Sequence, residues 1–196
     1  MPEQEDPAFV GDHKGGAGGA ADNPEARARQ VCLRLLTLAP RTRAQLATAL
    51  RKRGIPDEAA DEVLSRFEDV GLIDDAAFAR SWVESRHYSR GLAGRALSAE
   101  LKQRGVAADE IRAAIDEQLG PDAEVAAARR LIDRKLESTR GLPPEQRTRR
   151  LAGLLARKGY PAGLAFRVIR EALEAEGGLG FPEDEPPFDD SDSDTD

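Results

Sequence analysis

LATALRKRGI, residues 46–55, is a stretch whose pattern the chain repeats twice more. The second copy, LSAELKQRGV, occupies residues 97–106, and the third, LAGLLARKGY, occupies residues 151–160. The glycines of successive copies are 51 and 54 residues apart. This near-equal spacing predicts an internal repeat of one structural unit.

Each copy has the pattern of a helix end. Leu46 and Leu50 lie on one helical face because they are four residues apart. Gly54 can adopt the left-handed conformation that closes a helix, and Ile55 then packs back on Leu50. The equivalent packing pairs in the other copies are Val106 with Leu101 and Tyr160 with Leu155.

A second apolar pair recurs nine and ten residues after each glycine, which indicates a further helix in every unit. These pairs are Val63 with Leu64, Ala114 with Ile115, and Val168 with Ile169. A helix before each leucine pair completes a trio. We therefore predict an all-α fold of three tandem three-helix, helix-turn-helix-like repeats in an elongated, curved array. The three modules are predicted to span residues 25–73, 74–120 and 121–176.

Capping residues place several of the helix starts. Thr42 and Gln45 have the spacing of a capping box, which predicts the start of the second helix. Asp74 or Asp75 is expected to cap the first helix of the second module. The first helix of the chain is predicted over residues 25–38, with an apolar stripe formed by Val31, Leu35 and Leu38.

The formal net charge of −7 hides a strong asymmetry between the ends and the middle. Residues 1–24 form a Gly- and acid-rich arm with five acids and one base, and residues 177–196 form a tail with eight acids and no base. Both ends are predicted to be disordered. Residues 25–176 hold 23 acids and 28 bases, so the predicted folded part is basic and is expected to bind a polyanionic or acidic partner.

Arginines and lysines supply the informative chemistry, because guanidinium groups bind carboxylate and phosphate oxygens through paired hydrogen bonds. A solvated helix face explains any single one of them, whereas the ensemble favours a binding surface. The residues predicted to contact the partner are Arg86, Arg90, Arg95, Lys102, Arg104, Arg149, Arg150, Arg157 and Lys158.

Nothing in the sequence predicts an enzyme. His13 and His87 have no matched ligand or catalytic partner at a suitable spacing, and Cys32 is interpreted as a small core residue. No phosphate-binding glycine loop of the Walker type occurs. We expect no catalytic residue, no metal and no cofactor. We also expect a cytoplasmic protein, because there is no long apolar run or signal peptide and only one cysteine.

One stretch resembles a known family. It reads Gly71-Leu-Ile-Asp-Asp-x-x-Phe-Ala-x-x-Trp-Val-x-x-Arg86, followed by Arg90-Gly91 and Leu97-x-x-Glu-Leu-x-x-Arg104-Gly-Val106. This pattern is similar to the hallmark of the RecX family, bacterial regulators of the RecA recombinase. The resemblance extends over residues 26–175, more loosely in the third module. Arg104 stands where the family usually has lysine, which keeps the charge.

The resemblance implies a non-enzymatic regulator that lies in the groove of the RecA–single-stranded-DNA filament. There it would restrain ATP hydrolysis, strand exchange and filament growth, and so act in recombination, DNA repair and the SOS response. The expected partner is the filament, with single-stranded DNA as a possible direct contact, and the protein is expected to be a monomer that binds no membrane. The alternative is a helix-turn-helix regulator that reads duplex DNA.

Overall fold

The computed structural model describes residues 23–177, which form nine helices and no strand. The first module contains α1 (Pro24–Leu38), α2 (Arg43–Arg51) and α3 (Asp57–Asp69). The second contains α4 (Asp75–Arg90), α5 (Gly94–Lys102) and α6 (Ala108–Gln118), and the third contains α7 (Pro121–Thr139), α8 (Pro144–Arg157) and α9 (Ala162–Ala175). The prediction of three tandem three-helix modules is confirmed.

The repeated glycine phrase ends the second helix of every module in the same way. Gly54, Gly105 and Gly159 have φ values of +68°, +78° and +85°. The next residue donates its backbone N–H to the leucine carbonyl five positions earlier, as Ile55 does to Leu50 at 3.3 Å. The same bond measures 3.2 Å from Val106 to Leu101 and from Tyr160 to Leu155. The predicted left-handed helix ends are therefore confirmed in all three copies.

The predicted N-terminal caps are also present. The hydroxyl oxygen of Thr42 accepts the backbone N–H of Gln45 at 3.2 Å, and the side-chain oxygen of Gln45 accepts the N–H of Thr42 at the same distance. Of the two candidate aspartates, Asp74 caps α4 by accepting the N–H of Ala77 at 2.7 Å. Asp75 has a different role, which is described below.

Each module has a core of its own. The leucine pair of the repeated phrase is buried in every module, and the third-helix pair that follows the glycine packs with it, fully buried except for the half-buried Ile115. Cys32 is fully buried in the first core, as predicted. The predicted stripe of α1 is wrong at one position, because Leu38 is 73% exposed. Leu38 is the last residue of α1, so the helix ends before a following turn can cover its side chain.

The sequence predicts disorder for the arm over residues 1–24 and for the tail over residues 177–196. Apart from residues 23, 24 and 177, both segments lie outside the described residues. Among the described helices, none is long and apolar enough to cross a membrane.

Candidate functional site

A single tryptophan organises part of the basic surface of the second module. The guanidinium carbon of Arg86 lies 4.1 Å from the ring centroid of Trp82, and that of Arg104 lies 3.7 Å from it. The indole N–H of Trp82 donates to the Glu100 carboxylate at 2.8 Å. Phe78 stacks on the indole with a centroid distance of 5.7 Å. Cation–π contact and the neighbouring carboxylate therefore fix the positions of both guanidinium groups.

Both arginines make further contacts within the second module. Arg104 donates to the backbone carbonyl of Glu100 at 2.6 Å, and Arg86 approaches the Glu100 carboxylate at 3.9 Å. The Arg86 side chain is only 25% exposed. These two predicted contact residues are therefore structural parts of the module, and only their remaining exposed N–H groups are available to a partner.

The first and second modules meet at the N-terminal end of α2. The Thr42 hydroxyl donates to the backbone carbonyl of Arg104 at 2.6 Å. The backbone N–H of Arg43 donates to the Asp75 carboxylate at 2.9 Å, so a carboxylate of the second module caps a helix of the first. Burial raises the pKa of Asp75, although the hydrogen bond from Arg43 acts in the opposite direction.

The second and third modules meet through the same type of contact, in which a carboxylate of the later module accepts a backbone N–H at the start of a helix in the earlier one. The backbone N–H of Gly94, at the start of α5, donates to the Glu124 carboxylate at 2.8 Å. Gly94 lies as many residues before Gly105 as Arg43 lies before Gly54, so the two residues occupy equivalent positions in the repeat. The neighbouring Ala93 donates its N–H to the carbonyl of Lys158 at 2.9 Å. The repeat therefore extends to the joints between modules as well as to the modules themselves.

Gly105 and Gly159 allow the modules to approach closely at these joints. A Cβ atom at Gly105 would lie 2.2 Å from the Cβ of Ala44, and one at Gly159 would lie 2.5 Å from the backbone nitrogen of Ala96. A Cβ at Gly54 would meet no atom within 4 Å. Only the second and third glycines thus serve both as helix ends and as contact points with the preceding module.

The third module adds two side-chain contacts to its joint. The Tyr160 hydroxyl donates to the carbonyl of Gly91 at 3.1 Å, and the Lys158 ammonium donates to the carbonyl of Arg90 at 2.9 Å. Tyr160 is 3% exposed, and burial raises its pKa to about 12. The phenol therefore stays protonated and remains a hydrogen-bond donor at any physiological pH.

The remaining predicted contact residues point into solvent. All six are exposed, and none forms an ion pair or a side-chain hydrogen bond within the described residues. They are Arg90, Arg95, Lys102, Arg149, Arg150 and Arg157. These exposed cations belong to the second and third modules, which the joint at Gly159 holds together. Lys158, in contrast, is engaged in that joint.

Within residues 23–177, no group of His, Cys, Asp and Glu side chains could hold a metal ion. The Nδ1 atom of His87 lies 2.9 Å from the carbonyl oxygen of Leu92, a contact that ties the end of α4 to the following turn. Burial raises the pKa of the Cys32 thiol, which disfavours the reactive thiolate.

Comparison with known proteins assigns all three modules. Models of the first, second and third three-helix domains of RecX match residues 28–67, 74–115 and 122–169, in the order of the chain. The chain belongs to the RecX family. The resemblance seen in the sequence is therefore confirmed, including for the more loosely matched third module.

Relatives named Regulatory protein RecX match most of the chain. The one from Thermobifida fusca is 58% identical over 183 residues, which cover 91% of this chain and 98% of the relative. The Streptomyces coelicolor protein is 57% identical over 176 residues, with 90% and 93% covered. That of Mycolicibacterium smegmatis is 46% identical over 156 residues, with 78% and 82% covered. A regulatory role, rather than a named catalytic one, is common to these RecX proteins.

Solved structures share the fold. The crystal structure of RecX from Lactobacillus salivarius superposes with a TM-score of 0.70 at 18% identity, covering 76% of this chain and 96% of the other. A second RecX crystal structure gives a TM-score of 0.68 at 23% identity, covering 76% and 73%. At this level of identity, the comparison concerns the arrangement of helices alone.

Sequence reasoning missed the joints between RecX modules. The sequence predicts that Asp74 or Asp75 caps α4, yet the Asp75 carboxylate accepts an N–H from the preceding module. One signal was available: two adjacent acids cannot both cap one helix in the same way. Trp82 and Arg86 are one turn apart on α4, so their spacing allowed a contact, whereas Arg104 lies 22 positions from Trp82, after the end of α5, and no sequence signal indicated its contact.

Proposed function

We propose that this protein regulates the RecA recombinase by binding the RecA–single-stranded-DNA filament, where it restrains ATP hydrolysis, strand exchange and filament extension. It acts by binding and performs no catalysis of its own. Membership of a family of regulatory proteins supports this role, together with a folded part that is basic despite the acidic whole chain.

The observation that carries the proposal is a set of six exposed cations that form no ion pair with any residue between 23 and 177, on two modules joined by hydrogen bonds. Because the joint fixes their separation, binding of one group brings the others close to their own sites at little further entropic cost. Several weak contacts on one body suit a helical polymer whose acidic and phosphate groups repeat at regular intervals. Such contacts weaken as salt concentration rises.

The third helices of the first and second modules argue against a regulator that reads duplex DNA. In a helix-turn-helix protein, the recognition helix enters the major groove between two phosphate backbones. Helix α3 carries six acids and one base, and α6 carries four acids and one base. Phosphates would repel both helices, so we expect duplex DNA to compete poorly with the filament.

The test compares two variants in which three charges are neutralised. In the first, Arg149→Gln, Arg150→Gln and Arg157→Gln remove exposed cations of the third module. The control changes Arg27, Arg29 and Arg34 to glutamine, which removes three exposed charges from α1. Binding to a RecA filament on fluorescently labelled single-stranded DNA is measured by anisotropy across a range of salt concentrations.

We expect the first variant to bind more weakly and with a shallower dependence on salt, because fewer ionic contacts are made. The control should retain most of the affinity. A triple variant of Arg90, Arg95 and Lys102 should behave like the first. Wild-type affinity in both of these variants would refute the assignment of the six cations, and absence of wild-type binding would refute the proposed function.

A further inference from the structure

The second module has a surface that receives the N-terminal turn of α2. It lies beside a cavity of about 610 Å³, and its own residues there are Asp74, Asp75, Gly105, Ala107 and Glu110. The first module contributes Arg43 and Ala44 from the other side. The positive end of a helix thus lies against a group of carboxylates, which is a favourable electrostatic arrangement.

The first module presents the same surface without a preceding module. The positions 51 residues earlier are Asn23, Pro24, Gly54, Pro56 and Ala59. Four of them, all except Gly54, line an open groove of about 510 Å³.

The groove of the first module is also acidic. Its other lining residues are Glu25, Glu58 and Glu62, and the one cation paired with them in the described structure is Arg66. Glu58 is exposed and forms no ion pair within the described residues. A Cβ at Gly54 would meet nothing within 4 Å, so the close approach seen at Gly105 is still available here.

The contacts at the two occupied joints indicate which kind of ligand this groove would bind. Each receives the first turn of a helix whose N1 residue donates its backbone N–H to a carboxylate, Arg43 to Asp75 in one and Gly94 to Glu124 in the other. Each places an alanine against the glycine, Ala44 in the first joint and Ala96 in the second. The matching ligand is therefore a helix N-terminus with a free N–H at N1 and a small residue in its first turn.

Among the described residues, no second helix, the element that fills the two joints, has a suitable N-terminus left to offer. The N-termini of α2 and α5 are occupied, and α8 begins at Pro144, which has no N–H to donate. Residues 1–22 carry five acids and one base, so their charge does not complement an acidic groove. Neither these helices nor residues 1–22 therefore match the groove, and the proposed function supplies another candidate, the protein subunits of the filament.

We propose that the groove of the first module, formed by Asn23, Pro24, Glu25, Pro56, Glu58, Ala59 and Glu62 beside Gly54, docks the N-terminal turn of a helix on the protein subunits of the filament. This inference rests on the proposed function. It assigns the first module to protein contact through acids, while the second and third modules supply the cations. The partner's helix would then bind the first module in the way that α2 binds the second module and α5 binds the third.

The test uses one charge reversal and one steric block in the full chain, each with a matched control. Glu58→Arg reverses an exposed charge in the groove, and Asp69→Arg reverses an exposed acid at the other end of α3. Gly54→Asn places a side chain at the contact point, since asparagine tolerates positive φ. Gly177→Asn is its control at another open glycine of positive φ.

We expect Glu58→Arg and Gly54→Asn each to weaken filament binding by about tenfold, the effect of losing one charged or closely packed contact of about 1.4 kcal/mol. The slope of affinity against salt should remain close to that of wild type for Gly54→Asn, because no cation is removed. Both controls should bind like wild type, and circular dichroism checks that all four variants fold.

Groove variants that bind as tightly as their controls, while wild type binds normally, would overturn this inference and leave the proposed function intact. Failure of wild type to bind the filament would overturn both. Sedimentation of the protein alone provides a further check on its oligomeric state. If wild type is a dimer and Glu58→Arg is a monomer, the groove binds a second copy of the chain. Loss of the Glu58→Arg effect after removal of residues 1–22 would assign it to that segment. Either result would also overturn the inference.

Discussion

Replacing the repeated glycines with alanine separates the cost of a helix end from the cost of a joint. Gly54→Ala places an alanine at φ +68° in open space, so only the left-handed backbone is penalised, by about 1–2 kcal/mol. Gly105→Ala has the same backbone penalty at φ +78°, and its Cβ would also lie 2.2 Å from that of Ala44. Because Ala44 belongs to a helix and cannot rotate away, we expect an additional cost of about 1–3 kcal/mol.

Urea denaturation measures this difference, and Trp82 provides the signal because it is the single tryptophan and lies in the second module. With a slope of about 2 kcal/mol per molar urea, the Gly105→Ala midpoint should fall below the Gly54→Ala midpoint by about 0.5–1.5 M. Far-ultraviolet circular dichroism follows all modules together and shows whether they unfold in one transition, which a repeat array need not do.

A compensating change tests the steric explanation. Ala44→Gly removes the atom that the new Cβ would meet, so adding it to Gly105→Ala should recover most of the additional cost. Added to Gly54→Ala, it should only destabilise, by about 0.5–1 kcal/mol for glycine in a helix. Equal midpoints for the two glycine variants, or no recovery in the double variant, would refute our description of the joint.

Three further predictions follow from the joints and the charges. Burial raises the pKa of Asp75, so the folded state penalises the ionised carboxylate, and Asp75→Asn should stabilise the protein relative to wild type at neutral pH. This gain should vanish below the ordinary pKa of 3.8, where the carboxyl is protonated in both the folded and the unfolded state. Thermal unfolding at a series of pH values measures the difference. Tyr160→Phe should cost about 0.5–1.5 kcal/mol in urea denaturation, because the Gly91 carbonyl loses its donor. A chain ending at Gly177 lacks the eight acids of the tail and should bind the filament more tightly at low salt, as measured by anisotropy, with the difference disappearing at high salt.

Most of the fold was predictable because local chemistry determines it. A left-handed glycine with an apolar residue after it marks each second helix end, and Thr42 and Asp74 mark two helix starts through caps that involve only nearby residues. Periodicity failed at Leu38, since a stripe continues to the last residue of a helix whether or not another element covers that turn.

The candidate site was less predictable, because its character depends on contacts between distant residues. Nine cations could be selected by charge, but sequence alone does not show that Trp82 holds Arg86 and Arg104, or that Lys158 is engaged with the Arg90 carbonyl. The acidic groove of the first module became visible only when the joints showed which surface of a module receives its neighbour.

The rate of ATP hydrolysis by RecA on single-stranded DNA, measured with and without this protein, tests the central claim most directly. We expect the wild-type protein to lower the rate in a concentration-dependent manner, and the Arg149, Arg150 and Arg157 triple variant to require a higher concentration for the same effect. A rate that stays constant at saturating protein would contradict the proposed regulation of the filament.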